Sequence, residues 1–228
     1  LGASISAAEA KAPALVAEIE ASEAKLAQTK ADLKQAQVDR SAAQAAMAEA
    51  TALREKEAAA FAAEKSDYDT NIASLAKAVA ALEKGMSGAF LQTGAAQVLR
   101  QLVLNQSEML DVDRQELTAF LQGTQGEGYA PASGEITGIL KQMGDTMAKS
   151  LADATAEEQQ SIASFEALMA AKTKEVAALT AAIESKTKRI GELGVAIVSM
   201  KEDLSDTEAS LMEDKKFLAE MTGSCATK

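Results

Sequence analysis

The strongest pattern in the sequence lies between Phe165 and Leu218, which reads FEALMAAKTKEVAALTAAIESKTKRIGELGVAIVSMKEDLSDTEASLMEDKKFL. Alternating steps of four and three residues from Phe165 visit sixteen positions, of which twelve are apolar. Such a rhythm, sustained over seven heptads, predicts a coiled-coil helix. The four positions that interrupt the apolar series are Lys172, Lys186, Thr207 and Asp214.

The same stripe extends toward the middle of the chain. It continues upstream through Leu140, Met143, Met147 and Leu151. We therefore predict one long helix from about residue 134 to residue 221, closed by Gly223 because glycine favours the end of a helix.

A second long helix is predicted from Pro13 to Lys84, where no glycine and no further proline occur. Pro13 suits the first turn of a helix, since its missing N–H would have no partner there. Steps of seven from Ile19 mark a narrow seam, which Arg40 and Arg54 interrupt. Small residues lie between these steps, at Ser22, Thr29, Ala36, Ala43 and Ala50.

Residues 85–134 differ from both flanks and are predicted to form a compact helical head. They hold three of the seven aromatic residues and two apolar stripes that fit short helices at about 94–105 and 112–122. The glycine-rich stretch 123–134 is typical of a loop. The predicted domains are therefore 1–84, a first long coiled-coil helix; 85–134, the head and loop; and 135–228, a second long coiled-coil helix with a polar tail.

Two long helices that flank one head can fold back on each other. The predicted fold class is thus all-α, a long antiparallel coiled-coil helical hairpin with a small helical head at the bend. Matching Leu82 with Leu140 pairs residues whose numbers add up to 222, and it would bring Gly191 and Gly194 close to the first helix. It also sets residues 66–69 opposite 153–158, two polar stretches that resemble helix starts. These either mark a hinge or are solvated polar turns.

The composition argues against catalysis and against several kinds of site. The chain has no histidine and one cysteine, Cys225, which excludes catalytic pairs with histidine, zinc sites and an internal disulfide. The net charge of −11 disfavours nucleic acid and anionic membranes, and no apolar run is long enough to span a bilayer. The acidic run that begins at Asp111 departs from a calcium loop and instead predicts the start of a helix. We expect no enzyme activity, no cofactor and no catalytic or metal site, with weak calcium binding by surface carboxylates left open.

The head carries the candidate assembly residues. Its apolar side chains exceed what two short helices can hide between themselves, so we expect some of them to pack on the ends of the long helices or on another molecule. A self-contained head core is the alternative. The candidate residues are Phe90, Leu91, Val98, Leu99, Leu102, Phe120 and Tyr129.

Four blocks of the sequence resemble a family of dinoflagellate coiled-coil proteins: GAFLQT at 88–93, QGEGYAP at 125–131, ATAEE at 154–158 and EDKKFL at 213–218. In architecture and acidity the chain also resembles the trichocyst matrix proteins of ciliates and their relatives. That resemblance implies a proteolytically trimmed chain of a crystalline secretory organelle, extracellular after discharge, that expands when calcium enters. It identifies no site residues.

The resulting expectation is a non-enzymatic structural protein that self-associates, or associates with close paralogues, into a filament or lattice. The alternative is a soluble coiled-coil tether or adaptor that presents its head to a different protein. The chain starts at Leu1 without an initiator methionine. We expect either a processed product or a piece of a longer chain, and the compartment does not follow from this end.

Overall fold

The computed structural model describes residues 1–105, 109–123 and 133–226 of the chain. These ranges contain helices and turns and no strand. The two longest helices pack against each other in antiparallel directions, which confirms the all-α helical hairpin. The helices are α1 (Gly2–Glu83), α2 (Ser87–Phe90), α3 (Gly94–Asn105), α4 (Asp111–Gln122) and α5 (Ser133–Ala226).

The chain divides into two compact units, each containing part of α1 and part of α5. The terminal unit comprises Leu1–Ala48 and Leu168–Lys228, and the head unit comprises Glu49–Ala167. The short helices α2, α3 and α4 all belong to the head unit.

The terminal unit is a two-helix coiled coil with the seam that the heptads predict. Ile5, Leu15 and Ile19 of α1 are buried, as are Leu193 and Ile197 of α5. Small residues at intervening seam positions are buried as well, including Ala36 and Ala43. Because alanine side chains are short, this part of the seam buries little area per residue.

Ion pairs between the two helices define the register. Lys215 Nζ lies 2.7 Å from Glu9 Oε1, and Lys201 Nζ lies 2.6 Å from Glu23 Oε1. In each pair the residue numbers add up to 224. A third pair of the same unit, Lys186 and Asp32, adds up to 218. The sum of 222 predicted from Leu82 and Leu140 lies between these values.

The expectations about the start of the first long helix and the end of the second were wrong. Pro13 lies inside α1, which starts at Gly2. The preceding turns persist because Ile5 is buried and Ser4 donates a hydrogen bond to Asp214 of α5, contacts that offset the backbone bond that proline cannot donate. Likewise α5 continues through Gly223 to Ala226.

The close approach of the backbones predicted at Gly191 and Gly194 is also absent. A Cβ atom placed on either glycine would meet nothing within 4 Å. Both residues lie outside the buried seam positions Leu193 and Ile197, so they do not bring the helices closer together.

In the head unit, α1 ends at the glycine that the sequence indicates. Gly85 has φ +68°, a left-handed conformation that costs glycine little. The N–H of Gly85 donates to the carbonyl of Leu82 (3.0 Å) and that of Met86 to the carbonyl of Ala81 (2.8 Å). These two bonds form a Schellman motif, which satisfies carbonyls left open at the helix end.

Both polar stretches that resemble helix starts lie within uninterrupted helix. Residues 66–69 belong to α1 and residues 153–158 to α5. Thr70 and Thr155 donate their hydroxyls to the carbonyls of Ser66 and Leu151, four residues earlier. The structure thus shows polar helical turns at both places and no break in either helix.

Candidate assembly surface

The head is built around one apolar core in which several of the predicted assembly residues are enclosed. Phe90, Leu99 and Phe120 are buried, and Leu99 is 0% exposed. They pack in one cluster with Leu75 of α1 and Leu140 of α5. The head therefore packs on the adjoining segments of the long helices, one of the arrangements that the sequence left open.

The other predicted assembly residues have different positions. Leu91, Val98 and Leu102 are half-buried. Leu91 and Leu102 pack on the edge of the same cluster. Tyr129 lies outside the described residues, as does most of the predicted loop, residues 124–132. The assembly role of all seven residues stays a prediction. Among the six that the structure describes, burial limits direct contact with another molecule to the three half-buried ones.

Two polar side chains hold the head helices in place. Thr93 accepts a hydrogen bond at its hydroxyl from the N–H of Ala96 (3.3 Å), which caps the start of α3. Arg100 donates from Nε to the carbonyl of Leu121 (2.9 Å) and from Nη2 to the carbonyl of Leu91 (3.0 Å). Arg100 thus joins three segments of the head, a role that no feature of the sequence indicated.

The acidic run at Asp111 forms a helix start, as predicted. It opens α4 with Asp111 and Asp113 in the first turn, where carboxylates interact favourably with the helix dipole. In the part of the chain that the structure describes, no group of three or more acidic or cysteine side chains is arranged to hold a metal ion.

The head also exposes apolar side chains that sequence reasoning missed. Leu104, Leu110 and Val112 are 68%, 71% and 66% exposed. They flank residues 106–108, which are outside the described ranges. Leu104 is the last apolar residue of the stripe in α3. The periodicity of the sequence therefore groups it with its neighbours and does not show that its side chain is exposed.

A second exposed apolar pair lies on the terminal unit. Val195 is 73% exposed and Val198 is 57% exposed, although both stand in the middle of α5. The seam of α5 runs through Leu193 and Ile197, which are buried. The two valines therefore project away from α1, on the outer face of α5. The heptad pattern could have indicated this surface, because it places both valines at positions outside the seam, where an apolar side chain makes no contact with α1.

One charged interruption of the seam in the terminal unit, Lys186, is paired across the helices. Lys186 Nζ lies 3.4 Å from Asp32 Oδ2, and Gln28 Nε2 donates to Asp32 Oδ1 at 2.7 Å. The hydrogen bond from Gln28, with a further contribution from Lys186, lowers the pKa of Asp32 below its ordinary value of 3.8. Lys186, an interruption of the apolar series, thus binds a carboxylate on the opposite helix.

The head unit has a comparable interruption at Arg54. Its guanidinium forms ion pairs with Glu57 on the same helix and with Glu158 on α5. The side chains of Arg54 and Glu158 are only 11% and 13% exposed. Both residues continue the heptad seam, so a charged pair replaces an apolar layer there.

The chain is therefore an acidic, all-α coiled-coil hairpin. Its candidate site consists of the exposed apolar residues of the head unit and of the terminal unit. Within the described ranges, no helix has both the length and the apolar character needed to cross a membrane. The family model of Trichocyst matrix protein T1-F matches residues 3–228. The chain belongs to this trichocyst matrix protein family, which confirms the resemblance to trichocyst matrix proteins.

No curated protein and no solved structure matches the chain. The family membership supports a structural role in the matrix of a secretory organelle, and it suggests a protein that is not an enzyme.

Proposed function

We propose that the chain is a building block that self-associates into the ordered matrix of a trichocyst-like secretory organelle. The observation that carries this proposal is the match of the trichocyst matrix family over residues 3–228. The fold supports it, because each unit pairs segments of α1 and α5 whose outer faces are available for side-by-side packing. The exposed apolar residues on both units supply contact area for such packing.

Charge makes this assembly sensitive to ions. The chain carries a net charge of −11, so neighbouring copies repel one another at low ionic strength. Salt reduces this repulsion, since the screening length falls from about 10 Å at 0.1 M to about 3 Å at 1 M. Calcium would act in the same direction by weak association with surface carboxylates. This effect favours closer packing of the copies and does not by itself account for the expansion that the resemblance implies.

Sedimentation velocity tests the proposal directly. The protein is compared over a range of concentrations in low salt, in high NaCl, and in CaCl2 and MgCl2 at matched ionic strength. We expect association that increases with protein concentration and with screening, and more strongly with calcium than with NaCl at matched ionic strength. A single monomeric species under all conditions would contradict self-assembly.

A second candidate function rests on the exposed head residues Leu104, Leu110 and Val112. A tether or adaptor would use this apolar surface to bind a different protein. That function predicts a stoichiometric complex with one partner and no self-association. It also predicts that Leu110→Glu abolishes the complex while the helical content of the free chain is unchanged.

A further inference from the structure

The geometry points to the outer face of α5 around Val195 and Val198 as a contact site for a second copy of this chain, packed antiparallel through the same face. This inference rests on the proposed self-association and assigns it a surface and an orientation. In the inferred pairing, Val195 of one copy lies opposite Val198 of the other.

The exposure of the two valines is the first observation. At about 100° per residue, positions 195 and 198 fall on the side of α5 opposite the buried seam residue Leu193. Two neighbouring β-branched residues, 73% and 57% exposed, form an apolar surface that a monomer leaves in water. Covering this surface with an equivalent surface removes both from water.

The charges on either side of the valines select the orientation. Lys188 lies before them and is 80% exposed, with Nζ 4.0 Å from Glu192, the limit of an ion pair. Glu202 and Asp206 follow the valines and are exposed. An antiparallel second copy places each Lys188 opposite these carboxylates. A parallel copy in register would instead set lysine against lysine and carboxylate against carboxylate, which costs free energy.

The size of the surface predicts a weak contact. The strip from Lys188 to Asp206 is about 27 Å long at about 1.5 Å per residue. A strip one helix wide and of this length buries far less than the ~800 Å² per partner of a stable interface. The contact therefore forms at high protein concentration, or when many copies are linked by several such contacts.

Charge substitutions test the site by sedimentation equilibrium at protein concentrations up to about 1 mM, as weak interfaces require. We expect Lys188→Glu to lower the association constant at least tenfold. Combining Lys188→Glu with Glu202→Lys and Asp206→Lys exchanges the charges, and we expect it to restore association. The matched control is Lys174→Glu, which makes the same charge change at the equivalent outer position two heptads earlier and should change association less than threefold.

Spin-label distances test the orientation. With Cys225→Ser as background, Met212→Cys places one label at an exposed position beyond the strip. In the inferred pairing position 212 lies opposite position 181, so the two labels of a dimer are about 45 Å apart. A label distance near 10 Å, as in a parallel pair in register, would overturn the inference.

Failure of this site is distinguishable from failure of the proposed function. If the unmodified protein self-associates and Lys188→Glu associates equally well, the α5 surface is wrong while the proposed function stands. If the unmodified protein stays monomeric at every concentration and ionic strength, both are wrong. Circular dichroism of each variant at low concentration confirms that the helices are retained.

Discussion

Arg54 and Glu158 form a pair whose charges are largely enclosed between α1 and α5 of the head unit. Removing the carboxylate of Glu158 leaves the enclosed guanidinium of Arg54 with its ion pair to Glu57, in a poorly solvated position, which is costly. We predict that Glu158→Ala lowers the free energy of unfolding by at least about 1 kcal/mol, and by less than the ~3 to 5 kcal/mol of a fully uncompensated enclosed charge, because Glu57 remains bound to Arg54. Urea unfolding followed by circular dichroism measures the change.

The double variant Arg54→Leu/Glu158→Leu is the control, because it replaces the ion pair by an apolar layer of the kind found elsewhere in the seam. It should lose less stability than Glu158→Ala alone, since apolar replacements of enclosed ion pairs are often neutral or stabilising. Equal losses in the two variants would contradict this description of the pair.

Asp32 links stability to pH. Its pKa is lowered in the folded chain, chiefly by the hydrogen bond from Gln28 and further by Lys186. A carboxyl with a lowered pKa stabilises the fold above its unfolded pKa, and this contribution is lost as pH falls through the folded value. We predict that Asp32→Asn is less thermally stable than the parent at pH 6, and that the difference disappears below the folded pKa of Asp32. A difference independent of pH would contradict it.

The head helices depend on a few enclosed side chains. Leu99 and Leu117 are 0% exposed, so shortening either leaves a cavity that the surrounding helices fill only in part. We predict that Leu99→Ala and Leu117→Ala each lower the free energy of unfolding by about 2 to 5 kcal/mol. Leu104→Ala is the matched control on α3, where the side chain is exposed, and should cost less than about 0.5 kcal/mol. Similar losses at Leu99 and Leu104 would contradict the assigned core.

Element boundaries were predictable where local chemistry sets them. Gly85 and Gly123 adopt positive φ values and end α1 and α4, and the acidic residues after Leu110 start α4. The start of α1 was not predictable in the same way. Pro13 indicates a helix start locally, but contacts of Ile5 and Ser4 with the rest of the terminal unit extend the helix to Gly2.

At the scale of the whole molecule, the heptad pattern was sufficient to predict the antiparallel pairing of α1 and α5. It did not fix the register, since the paired residue numbers add up to 224 for Lys201 and Glu23 and to 212 for Arg54 and Glu158. The candidate site was less predictable, because periodicity shows which residues are apolar and not which of them are covered. Phe90, Leu99 and Phe120 are enclosed by α1 and α5, contacts between residues far apart in sequence. Conversely, the heptad pattern places Val195 and Val198 outside the seam, and the structure adds that both are exposed.

The pairing of α1 with α5 inside one molecule is tested most directly by zero-length carbodiimide cross-linking and mass spectrometry. An equal mixture of unlabelled and 15N-labelled chains separates links within a chain from links between chains. We predict links within one chain from Lys215 to Glu9, from Lys201 to Glu23 and from Lys141 to Glu83, whose charged atoms lie 2.6 to 2.8 Å apart. Links of these lysines to carboxylates in another register, or only between labelled and unlabelled chains, would contradict the hairpin.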